Sequence, residues 1–228
     1  MLDLTEPLPA PIILKSHDGL LRSYIEQSHA VVRLILGHLN AHLGLPPEKL
    51  TSTHRLEALT GDQVRFVHAP PQPADDRRTA LGAHSDFGSV TILFNQLGGL
   101  QVLPPTSDTW LYVKPLRGHG IVNLGDAMVK FSAGILKSNV HRVVSPPGAQ
   151  ADCTRLSLVY FARPEENVLL KALSESEMIA KQMQEDGITE EESVTSKEWI
   201  LRRALGRRGK GGNDFDQTKG TEGHIGEA

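Results

Sequence analysis

A mainly β fold with flanking helices is what this sequence predicts, and three observations carry the prediction. Short runs rich in branched and aromatic residues follow one another from Val90 to Ala162, separated by turns containing Gly and Pro. That is the pattern of an antiparallel sandwich or barrel. No helical period lies between those runs, so the crossovers that a parallel sheet requires are missing. One long helical period precedes the runs, and two helix-start patterns follow them.

The helical period begins at Asp18. Leu20, Leu21, Tyr24, Ile25, Ser28, Val31, Val32, Ile35, Leu36, Leu39 and Leu43 fall on one broad stripe, as a helix packed on a core requires. Gly44 stops it, with Pro46-Pro47 just beyond. The seventeen residues before it are proline-rich and read as an arm. His29, His38 and His42 read as solvated histidines on the helix flank, because no acidic partner converges with them. Pro46 to Glu57 reads as a short connection. Gln63–His68 is a strand ended by Pro70-Pro71. Further strands are expected at Val90–Asn95, Leu100–Leu103, Trp110–Lys114, Gly120–Leu124, Val140–Val144 and Leu156–Ala162, with one more in Asn167–Leu173. Ser174 with Glu177, and Thr195 with Glu198, make capping-box patterns ahead of two closing helices.

Size and charge narrow the class of function. The chain has 228 residues, 39% hydrophobic and 22% charged, with a net charge of −3. This suits one substantial core with an appendage and gives no general pull toward nucleic acid or anionic membrane. The cluster Arg202, Arg203, Arg207, Arg208 and Lys210 reads as a solvated helix end, favoured by the helix dipole. The single cysteine, Cys153, excludes an internal disulfide and fits a reducing compartment. No apolar run is long enough for a membrane helix, and Met1–Pro7 does not read as a secretory signal. The expectation is a cytoplasmic monomer that handles a small molecule, with no nucleic-acid or membrane partner.

The chemistry lies between Leu81 and Ala162. His84 and Asp86 stand two apart, so on an extended strand they leave the same face. His141 follows 57 residues later in a second strand-like run, and Arg155 follows 14 residues after that on the next strand. Two imidazoles and one carboxylate on one side of a metal leave three positions open, the arrangement suited to non-haem Fe(II). Arg155 offers a planar fork for a carboxylate, and Ser157, two along the strand, points the same way. Asn123 and Phe87 are candidates for packing or hydrogen bonding beside the metal, with a plain core role an equal alternative for Phe87. Asp126 after Gly125 reads as a turn residue, and His119, between two glycines, as exposed.

His84-Ser85-Asp86, Gly99-Leu100-Gln101-Val102, Val122-Asn123-Leu124-Gly125-Asp126, Lys137 to Val143 and Arg155-Leu156-Ser157-Leu158 together resemble the iron/2-oxoglutarate-dependent dioxygenases. Within them the chain is similar to the isopenicillin N synthase-like branch of plant and fungal enzymes. The resemblance spans roughly Val64 to Pro164. It implies a double-stranded β-helix (jelly-roll) core with iron held by His84, Asp86 and His141. It also implies 2-oxoglutarate held by Arg155 and Ser157, and O2 as oxidant. The implied reaction is hydroxylation, desaturation or ring closure of a small organic substrate with release of succinate and CO2. Because Asp86 occupies its ligand position, halogenation is disfavoured. The rival readings are an iron oxidase that does not use the oxo acid, and a non-catalytic jelly-roll binding module.

Two departures from the family pattern stand out. Relatives often carry a tyrosine on the strand before the metal motif that helps bind the oxo acid; here Ala69 stands in its place, with His68 as a substitute hydrogen-bonding group. The chain also reads as starting inside the last long helix of the family's N-terminal segment. That leaves a sheet edge and apolar surface uncovered, a possible route to self-association beside the expected monomer. The expected organisation is an N-terminal arm and helix over 1–60, the jelly-roll core over 61–173, closing helices over 174–205 and a disordered tail over 206–228.

Overall fold

The computed structural model describes residues 11–73, 79–189 and 194–206. After a one-turn helix, α1 (Ile12–Lys15), the long helix α2 (Asp18–His42) runs to Gly44, whose φ of +63° ends it. Strands β1 (Gln63–Ala69), β2 (Leu81–His84), β3 (Val90–Asn95), β4 (Leu100–Leu103), β5 (Leu111–Tyr112) and β6 (Ile121–Leu124) follow. Next come a short helix α3 (Asp126–Phe131), β7 (Val140–Val143), β8 (Arg155–Ala162) and β9 (Leu169–Leu170). Helix α4 (Glu177–Glu185), β10 (Val194–Thr195) and helix α5 (Ser196–Gly206) close the order.

The strands form two antiparallel four-stranded sheets, in the orders β1-β8-β3-β6 and β2-β7-β4-β5, with a small β9-β10 pair beside them. Strand residues alternate between faces, so the registers assign each side chain of the first sheet. Thr91, Leu93 and Asn95 of β3 lie across from Phe161, Val159 and Ser157 of β8. Gln63, Arg65, Val67 and Ala69 of β1 lie across from Phe161, Val159, Ser157 and Arg155. These make up the inner face. Val90, Ile92, Tyr160 and Ala162 are on the outer face and are buried with Val32, Leu36 and Leu43. The apolar stripe of α2 therefore finds its partner in the back of this sheet.

Several sequence expectations need correction. Ile12–Lys15 makes one exposed helical turn within the segment read as an arm. His29 is 5% exposed, beside the Tyr160 hydroxyl, rather than solvated; its place on the α2 stripe, one after Ser28, puts it against β8. His38 and His42 are exposed, as is His119. The cap of α4 is Ser176, whose hydroxyl accepts from the Ile179 amide, not Ser174. Thr195 and Glu198 do form a reciprocal capping box, with Thr195 Oγ1 accepting from the Glu198 amide and Glu198 Oε2 from the Thr195 amide. The outer face near β1 is open. Phe66, Phe94 and Leu156 are 57%, 40% and 62% exposed and line a groove of about 1060 Å³.

Candidate metal centre

Strands β2 and β7 pair so that His84 lies directly across from His141. Their rings stand with centroids 4.2 Å apart. The chain then bends after His84, and Asp86 turns back toward both imidazoles rather than continuing the strand. Asp86 Oδ1 is 3.9 Å from His84 Nε2 and 3.9 Å from His141 Nε2. The three ligand atoms all lie within 4.8 Å of one another. His84 and Asp86 are buried and His141 half-buried.

Each group is oriented by its other end. His84 Nδ1 is 2.7 Å from the Gly82 carbonyl and His141 Nδ1 is 3.1 Å from the Asn139 carbonyl. A carbonyl can only accept, so Nδ1 carries the proton on both rings and Nε2 presents its lone pair to the centre. Asp86 Oδ2 accepts from Thr91 Oγ1 at 2.6 Å and from Asn123 Nδ2 at 2.7 Å. One carboxylate oxygen is thereby fixed and the other faces the imidazoles. Burial pushes the Asp86 carboxyl up, but the charge of His141 when that ring is protonated, hydrogen bonds from Asn123 and Thr91, and the charge of His84 when protonated outweigh it, and without a metal it is held below the usual carboxylate range. Two Nε2 lone pairs and one ionised oxygen, each with an orienting hydrogen bond behind it, fit a divalent transition metal.

The loop carrying Ser85 to Ser89 is pinned from two sides. Helix α3 docks on it through Asp126 N–H to Asp86 O (2.8 Å) and Ala127 N–H to Gly88 O (3.1 Å). Gly125 makes this approach possible, since a Cβ there would fall 2.2 Å from the Gly88 oxygen. From the other side α5 inserts Arg203. Its Nη2 donates to Asp126 Oδ2 at 2.8 Å and to Ser85 Oγ at 3.1 Å. Asp126 also accepts from Ser85 Oγ (3.0 Å) and from Ser138 Oγ (2.7 Å), just before β7. Thus one buried ion pair ties both ligand-bearing segments to the C-terminal helix.

These contacts revise three readings. Asp126 is the buried first residue of α3, not a turn residue, and Arg203 is 2% exposed rather than part of a solvated cluster. Arg202 is exposed, while Arg207, Arg208 and Lys210 lie outside the described residues. Phe87 packs beneath the Arg203 guanidinium, 5.0 Å from its ring centroid, and its carbonyl accepts from Trp199 Nε1. A signal for Arg203 existed, since it stands four residues after Trp199 and so shares its helix face. Thr91 was also missed, though a polar residue at an inward strand position is a signal of the same kind.

Arg155, 5% exposed, lies at the start of β8. Its Nε donates to the Gly98 carbonyl at 2.9 Å and its Nη1 to Ser157 Oγ at 2.5 Å. Its Nη2 is buried with no partner among the described residues. Burial lowers its pKa without making it neutral at ordinary pH. A buried guanidinium with an unmet donor suits the carboxylate of a bound molecule. Across the β1–β8 ladder its Cα partner is Ala69. His68 pairs with Leu156 instead and points to the outer groove, so it cannot stand in for an inward tyrosine.

Comparison with known proteins places the fold. The sequence profile described as the 2OG-Fe(II) oxygenase superfamily matches residues 60–164. A 2-oxoglutarate-dependent dioxygenase of Aspergillus fumigatus is 30% identical over 83% of this chain and 54% of its own length. The 2-oxoglutarate-dependent dioxygenase iboH of Amanita muscaria is 31% identical over 68% of this chain and 76% of its own length. Among solved structures, a full-length Neurospora crassa protein in complex with alpha-KG superposes with a TM-score of 0.75 at 23% identity, over 89% of this chain and 62% of that one. JOX2 in complex with 2OG, Fe and JA gives 0.68 at 27% identity, over 85% and 54%. The chain spans about half the length of several curated relatives it matches. The paired antiparallel sheets are the family's jelly-roll core with the long helix of α2 behind it, and the chain belongs to the 2OG-Fe(II) oxygenase superfamily.

Proposed function

We propose that the protein is an Fe(II)- and 2-oxoglutarate-dependent oxygenase acting on a small organic molecule, with His84, Asp86 and His141 holding the metal. The observation that carries this reading is the orientation of three donors toward one point, each with its other polar atom already engaged. The relatives' names point the same way. Fe(II) bound there would supply the activation of O2 and the oxidation of a substrate C–H bond, with 2-oxoglutarate converted to succinate and CO2. The chain's own residues do the rest. Arg155 binds the distal carboxylate of the oxo acid through its fork, with Ser157 Oγ fixing the fork's orientation. Thr91 and Asn123 keep Asp86 ionised and aimed. Asp86, Thr91, Arg155 and Ser157 are each buried, which strengthens these polar contacts.

Ala69, opposite Arg155, supports a second reading: an iron oxidase in which Arg155 and Ser157 bind a substrate carboxylate and no oxo acid is consumed. Succinate release separates the two. Incubation with Fe(II), ascorbate and 2-oxoglutarate should yield succinate, abolished by His84→Ala and by Arg155→Ala. A folded, iron-loaded protein that yields none with any added small molecule would refute the first reading.

A further inference from the structure

Helix α2 covers only part of the first sheet's outer face. It packs with Val90, Ile92, Tyr160 and Ala162, while the groove lined by Phe66, Phe94 and Leu156 stays open beside it. These three side chains are 57%, 40% and 62% exposed. The ring of Tyr24, on α2, meets Phe94 edge-on with centroids 6.1 Å apart. Helix and groove therefore adjoin.

The helix itself is more apolar than its buried stripe requires. Val31 follows Leu20 by eleven residues, about three turns, and Leu34 follows Val31 by three. Leu20, Val31 and Leu34 thus share one side of α2, where they are 68%, 44% and 62% exposed. Gln27 and Ala30, exposed on the same side, carry no charge. Arg22, Glu26 and Arg33 recur at helical spacing on another flank. A helix side that faces only water carries charge, whereas an interface centre combines exposed apolar side chains with depletion of charge.

Through Tyr24 and Phe94 the two form one continuous apolar surface, with the ridge of α2 beside the channel of the sheet. Such a surface complements itself, because a two-fold rotation lays each ridge in the other copy's channel. We propose that the chain forms a two-fold dimer in which the Leu20, Val31 and Leu34 side of α2 in each copy fills the groove of Phe66, Phe94 and Leu156 in the other. The symmetry makes this contact twice, which carries it toward the roughly 800 Å² per partner that a standard interface buries. A net charge of −3 leaves little repulsion between copies. A second copy is favoured over a different protein because every molecule carries both halves of the contact. The surface lies on the opposite face of the sheet from Thr91 and Ser157, so the inference goes beyond the oxygenase reading and does not depend on it.

Sedimentation velocity of the full chain over a micromolar concentration series tests this, and should show a monomer–dimer equilibrium with no larger species. Leu34→Glu alters the ridge and Phe66→Lys the groove, both at exposed positions. Each variant, shown to be folded by its thermal melt, should dimerise at least tenfold more weakly. Mixed in equal amounts, the two should dimerise again. One ridge-in-groove contact is then unaltered, and the other brings the new Glu and Lys together. Val31→Glu with Leu156→Lys supplies a second such pair if either of the first two melts early. A chain that stays monomeric throughout leaves the groove to some other occupant and overturns the proposal. So do open polymers, a dimer unaffected by either substitution, or a mixture that dimerises no better than its components.

Discussion

Arg203 and Asp126 meet at 2.8 Å with side chains 2% and 0% exposed, and between them they hold Ser85, the residue that separates two candidate metal ligands. Removing one partner of a buried ion pair strands the other charge, which costs about 3–5 kcal/mol. Arg203→Met should therefore destabilise the protein by about that amount in denaturant titration. It should also weaken Co(II) binding by about tenfold or more, as loss of outer groups around a metal does. Loss of stability with unchanged metal affinity would make the pair a fold element only.

The proposed metal ligands can be tested without turnover. Asp86→Asn keeps the size of the side chain and one oxygen to accept from Thr91 and Asn123, but removes the charge facing both imidazoles. Co(II) absorption titration should show at least a hundredfold weaker binding, and His141→Ala should behave alike. Thr91→Val should have a smaller effect, since it removes one of the two donors to Asp86 Oδ2. Equal losses from Thr91→Val and Asp86→Asn would contradict this ranking.

His54 predicts a pH dependence of stability. It is 2% exposed, with Nδ1 on the Leu50 carbonyl and Nε2 on Ser89 Oγ. Burial lowers its pKa from 6.5 to about 4. In the unfolded chain it takes up a proton below about pH 6.5, and in the folded protein only near pH 4, so the unfolded state binds more protons between those values. Its contribution is full above pH 6.5 and is lost as pH falls toward 4, by roughly 3 kcal/mol in all. Denaturation midpoints of His54→Gln should be lower at pH 7 and flatter across that window. A parallel pH profile in both proteins would contradict the assignment.

Ala69 bears on the co-substrate. Its position across from Arg155 would give a larger side chain there a direct approach to an oxo acid held by Arg155. Ala69→Tyr should tighten 2-oxoglutarate binding several-fold, read by calorimetry on the Co(II) protein. His68→Ala, on the outer face, should leave it unchanged. The opposite ranking would mean that β1 is out of register.

Much of the fold was legible because period and punctuation agree. Val90–Asn95 and Leu100–Leu103 begin and end as expected, and Gly44 ends α2 where the stripe stops. The convergence of His84, Asp86 and His141 followed from spacing and from resemblance together. What was not legible depends on tertiary partners. Asp126 after Gly125 looks like a turn until Arg203, 77 residues away, supplies its counter-charge. His29 looks solvated until Tyr160 packs over it. Phe87 read equally as a neighbour of the metal and as a core residue, and the chain's bend turns it toward α5. Local patterns encode exposure on average, and a single charged residue inserted from a distant helix escapes them.

The most direct test of the central claim is anaerobic titration of 2-oxoglutarate into the Fe(II)-loaded protein, followed by visible absorption. Chelation of the oxo acid by iron on His84, Asp86 and His141 should give a saturable metal-to-ligand charge-transfer band at one equivalent, absent in His84→Ala and shifted to higher 2-oxoglutarate concentration in Arg155→Ala. A folded, iron-loaded protein that shows no band at saturating 2-oxoglutarate would contradict it.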